Sequence, residues 1–205
     1  MTDIKYQIQK PVDGEFRDRG SRFLGFAYPI NTLDEIKSHL KTLKVGHSDA
    51  THICYAYRMM TNSEVDEYST DAGEPSGSSG IPILNVLRRN QLIDTVIFIA
   101  RYYGGTKLGI PGLINAYGSC AENCIENAIV EKSIKFHTIQ IRFAYEHQRI
   151  LDSLCRQFDC ESIRQDFGID ILLEIKIRAD DAELFSRLLS DKTNGQVLAE
   201  IKYLH

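Results

Sequence analysis

Residues 94–103, DTVIFIARYY, form the most hydrophobic strand-like run of the chain. A strand wet on one face alternates apolar and polar side chains, whereas one covered on both faces reads as nearly continuous apolar sequence. The run therefore predicts a central strand with a packed layer on either side. The segments around it supply the partners. ATHICYAYRMM (50–60) alternates Ile53, Tyr55 and Tyr57 against His52, Cys54 and Ala56, as a strand does. IKYQIQKPV (4–12) is also strand-like and is followed by Asp13-Gly14, a hairpin-type dipeptide. EFRDRGSRFLGFAYPI (15–30) continues the extended pattern, with Gly20 as a candidate bulge. NTLDEIKSHLKTLKV (31–45) reads as a helix capped by Asn31 or Thr32, with Asp34 and Glu35 in its first turn. Residues 61–80 read as a polar loop with one short strand, and 82–90 and 112–130 as two further helices. The first 132 residues thus predict an α+β domain, a sheet backed by helices.

The second half predicts a different order. HTIQIRFAY (137–145) is a strand and EHQRILDSLCRQF (146–158) an amphipathic helix. ESIRQDF (161–167) and ILLEIKIRA (171–179) are strands joined through a turn at Gly168. DDAELFSRLLSDKT (180–193) opens with two aspartates, suited to a helix N-terminus, and closes at Asn194-Gly195. QVLAEIKYL (196–204) is the last strand. The sum is β-α-β-β-α-β, the ferredoxin-like pattern, over 136–205. The charged segment EKSIKF (131–136) reads as the linker.

Composition narrows the function classes. With 43% hydrophobic and 25% charged residues in 205, the chain has a globular profile. No stretch reaches the ~20 apolar residues of a membrane span, and the start lacks a signal-peptide pattern, so a cytoplasmic protein without membrane association is expected. The net charge is −4, and each half carries two more acids than bases. Any nucleic-acid contact must then come from a local patch rather than a basic face. The five cysteines include no C-x-x-C pair. They are expected as buried thiols, with no metal site, and their odd number fits a reducing compartment.

Two small-residue loops carry the chemistry. DAGEPSGSSGIP (71–82) leads into a helix, with Pro82 in its first turn. Gly77, Ser78, Ser79 and Gly80 would present backbone N–H groups, which with the helix dipole attract anions; the alternative is that Ser78 or Ser79 only caps the helix. RYYGGTKLGIPGL (101–113) repeats the grammar of strand, glycine turn and helix. Gly104, Gly105 and Gly109 permit close backbone approach. Arg101, Thr106 and Lys107 could hold phosphate, and Tyr102 and Tyr103 could stack on bases. The spacing matches neither a P-loop nor a dinucleotide fingerprint. Asp71 and Glu74 could bind Mg²⁺ or act in acid–base chemistry, but are expected mainly to order the loops by pairing with Arg101 or Lys107. His52 is a candidate third member of this group. No metal-ligand set or nucleophile suits peptide hydrolysis, and no cofactor is expected.

GSRFLGFA (20–27), ATHICYAY (50–57), DAGEPSGSSGIPIL (71–84) and RYYGGTKLGIPGLINAY (101–117) together resemble the IMPACT/YigZ family. One departure is Ser78-Ser79, where many relatives read Thr-Ala. The resemblance implies a ribosomal-protein domain-2-like N-terminal fold, shared with elongation factor G, and a C-terminal domain similar to other elongation factor G modules. Eukaryotic relatives regulate translation through a partner-binding domain outside this sequence. The first expectation is accordingly a non-enzymatic RNA- or ribosome-associated protein, gripping phosphate between the two loops. The alternatives are a metal-assisted enzyme or a protein binding a nucleotide or phosphorylated small molecule in the same cleft, and a protein-interaction module using the second sheet, whose open face carries Gln140, Arg142, Glu174, Lys176 and Arg178.

Overall fold

The computed structural model describes residues 5–61, 64–133 and 136–202, and the chain divides into two compact units, Met1–Ser133 and Ile134–His205. In the first, the apolar run becomes β6 (Thr95–Tyr102), the middle strand of a five-stranded antiparallel sheet. Its neighbours are β3 (Ser21–Pro29) and β4 (His52–Met60), with β2 (Val12–Asp18) and β5 (Val65–Thr70) at the edges. Helices α2 (Gly80–Arg89) and α3 (Gly109–Glu126) cover one face and α1 (Leu33–Gly46) the other. Ile97 and Ile99 face α2 and α3, and Val96 and Phe98 face α1, so burial on both sides accounts for the unbroken apolar sequence.

The hairpin lies elsewhere than Asp13-Gly14. Those residues sit inside β2, opposite Phe26 and Gly25, and the turn falls at Arg19 (φ 46°) and Gly20 (φ 81°) between Asp18 and Ser21. Both central residues have positive φ, as a type I′ turn requires, so Gly20 is a turn residue rather than a bulge. Gly14 is needed for another reason. A Cβ there would lie 2.7 Å from both the N and Sγ of Cys124 on α3. The sheet admits that helix closely only because Gly14 and Gly25 lack side chains where the buried thiols of Cys120 and Cys124 press in.

The opposite face is built differently. α1 is capped by Thr32, whose hydroxyl accepts from the Glu35 N–H, while Glu35 accepts from the Asn31 N–H. It packs through Ile36 and Leu43 onto Tyr57, Val96 and Phe98, with Phe26, Tyr28 and Tyr55 filling in around them. The short strand β1 (Tyr6–Ile8) stays outside the main sheet and pairs with β7 (Val130–Lys132). The expected linker therefore begins as a strand of the first unit.

The second unit runs β8 (Phe136–Phe143), a 3-10 turn at Tyr145–His147, α4 (Gln148–Gln157), β9 (Glu161–Phe167), β10 (Ile171–Arg178), α5 (Ala179–Lys192) and β11 (Ala199–Lys202). Its antiparallel sheet has the order β11-β8-β10-β9. Ile139, Ile141, Ile175 and Ile177 turn towards Leu151, Leu154, Phe185 and Leu189 of the helices. β9, at the edge, is exposed along its whole length. α5 ends with Asn194 (φ 50°) at C′ and Gly195 (φ 78°) next, and the Gly195 N–H donates to Ser190 O at 2.8 Å. Asparagine thus takes the left-handed C′ position expected of glycine. The expected end of the last strand, 203–204, lies outside the described residues.

Candidate functional site

The first glycine loop folds around one carboxylate. Asp71 accepts from the backbone N–H of Gly77 (2.8 Å), Ser79 (3.0 Å) and Gly80 (2.8 Å), and from the Ser79 hydroxyl (2.8 Å). These are the donors at the start of α2 that the sequence offers to an anion, and the anion is already in the chain. Ser79 stands at the N-cap, but its hydroxyl donates to Asp71 rather than accepting from the helix. The Ser78 hydroxyl donates to Pro75 O, and both serines are fully buried. Partial burial pushes the Asp71 carboxyl up, yet the bonds from Gly77, Gly80 and Ser79 outweigh it and hold the group below the usual aspartate range.

Glu74 and Arg101 join the two loops from inside. Arg101 Nη1 donates to Glu74 Oε1 at 2.6 Å, and both side chains are over nine-tenths buried. Tyr117 of α3 donates its hydroxyl to the same oxygen at 2.8 Å. The Cys54 thiol donates to Asp71 O at 3.0 Å, and burial pushes it up to about 11, so it is protonated and inert at neutral pH. The Arg101 guanidinium lies 5.6 Å from the Phe23 ring centroid and 5.7 Å from that of Tyr103. The loops therefore meet through a buried ion pair rather than across an open cleft, and Arg101 does not face solvent. His52 sits beside them, its Nδ1 donating to Ala72 O at 2.9 Å. Among the described residues no three His, Cys, Asp or Glu side chains are grouped to hold a metal ion.

The second loop is open. Tyr103, Gly104, Gly105, Thr106 and Lys107 are all exposed. Gly104 is a glycine because the hairpin backbone lies against it, a Cβ there falling 1.9 Å from the Gly20 carbonyl carbon. Gly105 (φ 85°) and Gly109 (φ 72°) take conformations that favour glycine. No described side chain caps α3, and its first turn holds no acid. Pro111 lacks a donor, which leaves the N–H groups of the exposed residues Gly109 and Ile110 without a side-chain acceptor among the described residues. Tyr102 separates from its neighbour: its hydroxyl meets His47 Nδ1 at 2.7 Å on the α1 side, while the Tyr103 hydroxyl donates to Gly105 O at 2.7 Å.

Sequence reasoning missed a groove on the α1 face. It has a volume of about 510 Å³ and runs between the C-terminal half of α1, the 48–51 loop, β4 and β5. Lys44, His47, His52, Tyr55 and Tyr68 line it. The available signal was the alternation that puts Tyr55 on this face together with the Leu40, Lys44 and His47 spacing at the end of α1, although no motif marks it.

Residues 19–125 match the Impact N-terminal domain. The chain belongs to the IMPACT family. It is 30% identical to the IMPACT family member YvyE of Bacillus subtilis over 96% of this chain and 90% of that protein. With the IMPACT family member YigZ of Escherichia coli it shares 25% identity over 86% and 87% of the two chains. A solved structure, described as a hypothetical protein, covers 100% of this chain and 99% of its own with a TM-score of 0.67 at 23% identity, a likeness of fold. All four stretches that carried the IMPACT resemblance lie within or touch the matched region, which ends before β7.

Proposed function

We propose that this IMPACT family protein acts in translation or its regulation by a non-enzymatic contact with RNA or the ribosome, made by the loop 103–109 at the start of α3. One observation carries this reading. Two loops of the same sequence grammar end in opposite states: the α2 N-terminus is filled by Asp71, while the α3 N-terminus is uncapped and exposed beside Lys107. Backbone donors, a positive dipole end and a lysine favour a phosphate oxygen, and exposed Tyr103 offers a face to a neighbouring base. The translation role comes from the family resemblance. The β11-β8-β10-β9 order with two helices on one face supports the ferredoxin-like reading of the second unit, and the elongation factor G likeness remains part of the proposal.

Arg101 drops out of the contact because it is buried against Glu74. The salt slope attributable to this loop is therefore that of one phosphate, about one unit on the log–log plot, removed by Lys107→Ala. Filter binding to single-stranded RNA and co-sedimentation with ribosomes, both at low salt, test the reading. Wild-type protein that binds neither would sink it.

A further inference from the structure

We infer that the groove on the α1 face is a binding site for a nucleotide unit of single-stranded RNA, the base against Tyr68 and the phosphate towards Lys44. The groove lies on the face away from α2 and α3, and three observations specify its occupant.

The first is charge. In a chain of net charge −4, the groove is lined by Lys44, His47 and His52, and by no acidic residue among those described. No carboxylate lines the groove, although Asp49 lies in its 48–51 wall, so the side chains that face a ligand there favour an anion. The second is the aromatic surface. Tyr55 and Tyr68 lie with ring centroids 5.8 Å apart, and Tyr68 is 46% exposed on the edge strand β5. An exposed ring in a groove beside a lysine can take a base on its face and a phosphate at its side. The volume, about 510 Å³, falls within the range of small-molecule sites and admits one nucleotide.

The third is continuity with the exposed loop. Thr51, on the groove wall, accepts a hydrogen bond from the Tyr103 N–H at 3.4 Å, and His47 meets the Tyr102 hydroxyl at 2.7 Å. The end of β6 thus connects the groove wall directly to the loop that carries Lys107. A strand that meets Lys107 would reach the groove by passing over the end of β6, along Tyr103 and Thr51. The inference in this respect deepens the RNA reading proposed above and rests on it, yet it assigns different residues.

Adenosine 5′-monophosphate and a short oligoadenylate are the probes, titrated into the full chain and followed by NMR chemical shifts and by fluorescence anisotropy. Both should perturb Lys44, Tyr55 and Tyr68, the oligonucleotide also shifting Tyr103 and Lys107. Tyr68→Ala should weaken oligonucleotide binding by about fivefold or more, while Tyr68→Phe, which keeps the ring face, should retain it. Lys44→Ala should lower the salt slope by roughly one unit. If Tyr68→Ala and Lys44→Ala bind as the wild type does while Lys107→Ala is impaired, the groove assignment is overturned and the loop reading survives. If the groove variants lose binding and Lys107→Ala does not, the groove stands and the loop reading falls. Shifts confined to Lys44 with equal response to inorganic phosphate would reduce the groove to a simple anion site and overturn the nucleotide assignment.

Discussion

The two faces of the N-terminal sheet solve the same packing problem in opposite ways. Towards α3, Gly14 and Gly25 remove side chains so that Cys120 and Cys124 come down almost onto the backbone. Towards α1, Phe26, Tyr28, Tyr55 and Phe98 fill the gap with rings, Tyr28 stacking on His39 at 4.1 Å. A helix that meets small residues lies close and seals the sheet. A helix held off by rings leaves a groove beside it, bounded by an edge strand. The sealed face also encloses the Glu74–Arg101 pair and the Asp71 cap, so the motif-rich loops serve it as internal fastening. The open face has no such motif and keeps the exposed Tyr68 and Lys44. Close packing and an open groove lie on opposite faces of one sheet.

The sharpest way to break this comparison is at the ion pair. Glu74→Ala leaves the Arg101 guanidinium buried without its counter-ion, and a loss of about 3–5 kcal/mol in urea unfolding is expected. If the variant were as stable as the wild type, the sealed face would not be held by this pair. Next is Gly14→Ala. The new Cβ, 2.7 Å from a backbone atom of α3, cannot be relieved by moving a side chain alone. A loss of about 1–3 kcal/mol is expected, and pairing the change with Cys124→Ala should recover only part of it. Full recovery would show that the thiol, not the helix backbone, sets the spacing.

Asp71 gives a smaller effect with a distinct pH signature. Asp71→Asn removes the charge while keeping a side-chain acceptor, at an expected cost of about 1–2 kcal/mol near neutrality. The folded carboxyl titrates below its unfolded value, so its contribution is present above the unfolded pKa, about 3.9, and is lost as pH falls through the lower folded value. Wild-type and Asp71→Asn stabilities should therefore converge in acid, separate as pH rises through the carboxyl's titration, and stay apart by a constant amount above it. Parallel curves from acid to neutral pH would contradict the cap.

What could be read in advance follows physical lines. β6 was legible because burial on two faces writes itself into the sequence, and the second unit because β10 alternates and α4 and α5 keep a helical period. Asp13-Gly14 misled because a local turn propensity competes with a tertiary demand, and the need of α3 for a close approach won. The loop 71–82 was ambiguous for a deeper reason: a bound phosphate and an internal carboxylate satisfy the same donors. Only the three-dimensional position of Asp71 decides between them. The groove was the least legible, since Lys44, Tyr55 and Tyr68 come from three elements and share no spacing.

The smallest stability effect should come from the open face. Tyr68 is 46% exposed on an edge strand, with neighbours Tyr55 and Tyr57 at ring-centroid distances of 5.8 and 5.9 Å. Tyr68→Ala loses part of that ring contact but leaves no sealed cavity, because water can enter from the edge. A change within about 1 kcal/mol is expected in thermal or urea unfolding, well below that of Gly14→Ala, although far more side chain is removed. The inequality follows directly from the difference between the faces: adding one carbon where α3 touches the sheet should cost more than deleting a whole ring where α1 stands off. A larger loss for Tyr68→Ala would mean that β5 is held by this aromatic cluster. The groove would then be a packed seam of the core, and the contrast between the faces would vanish.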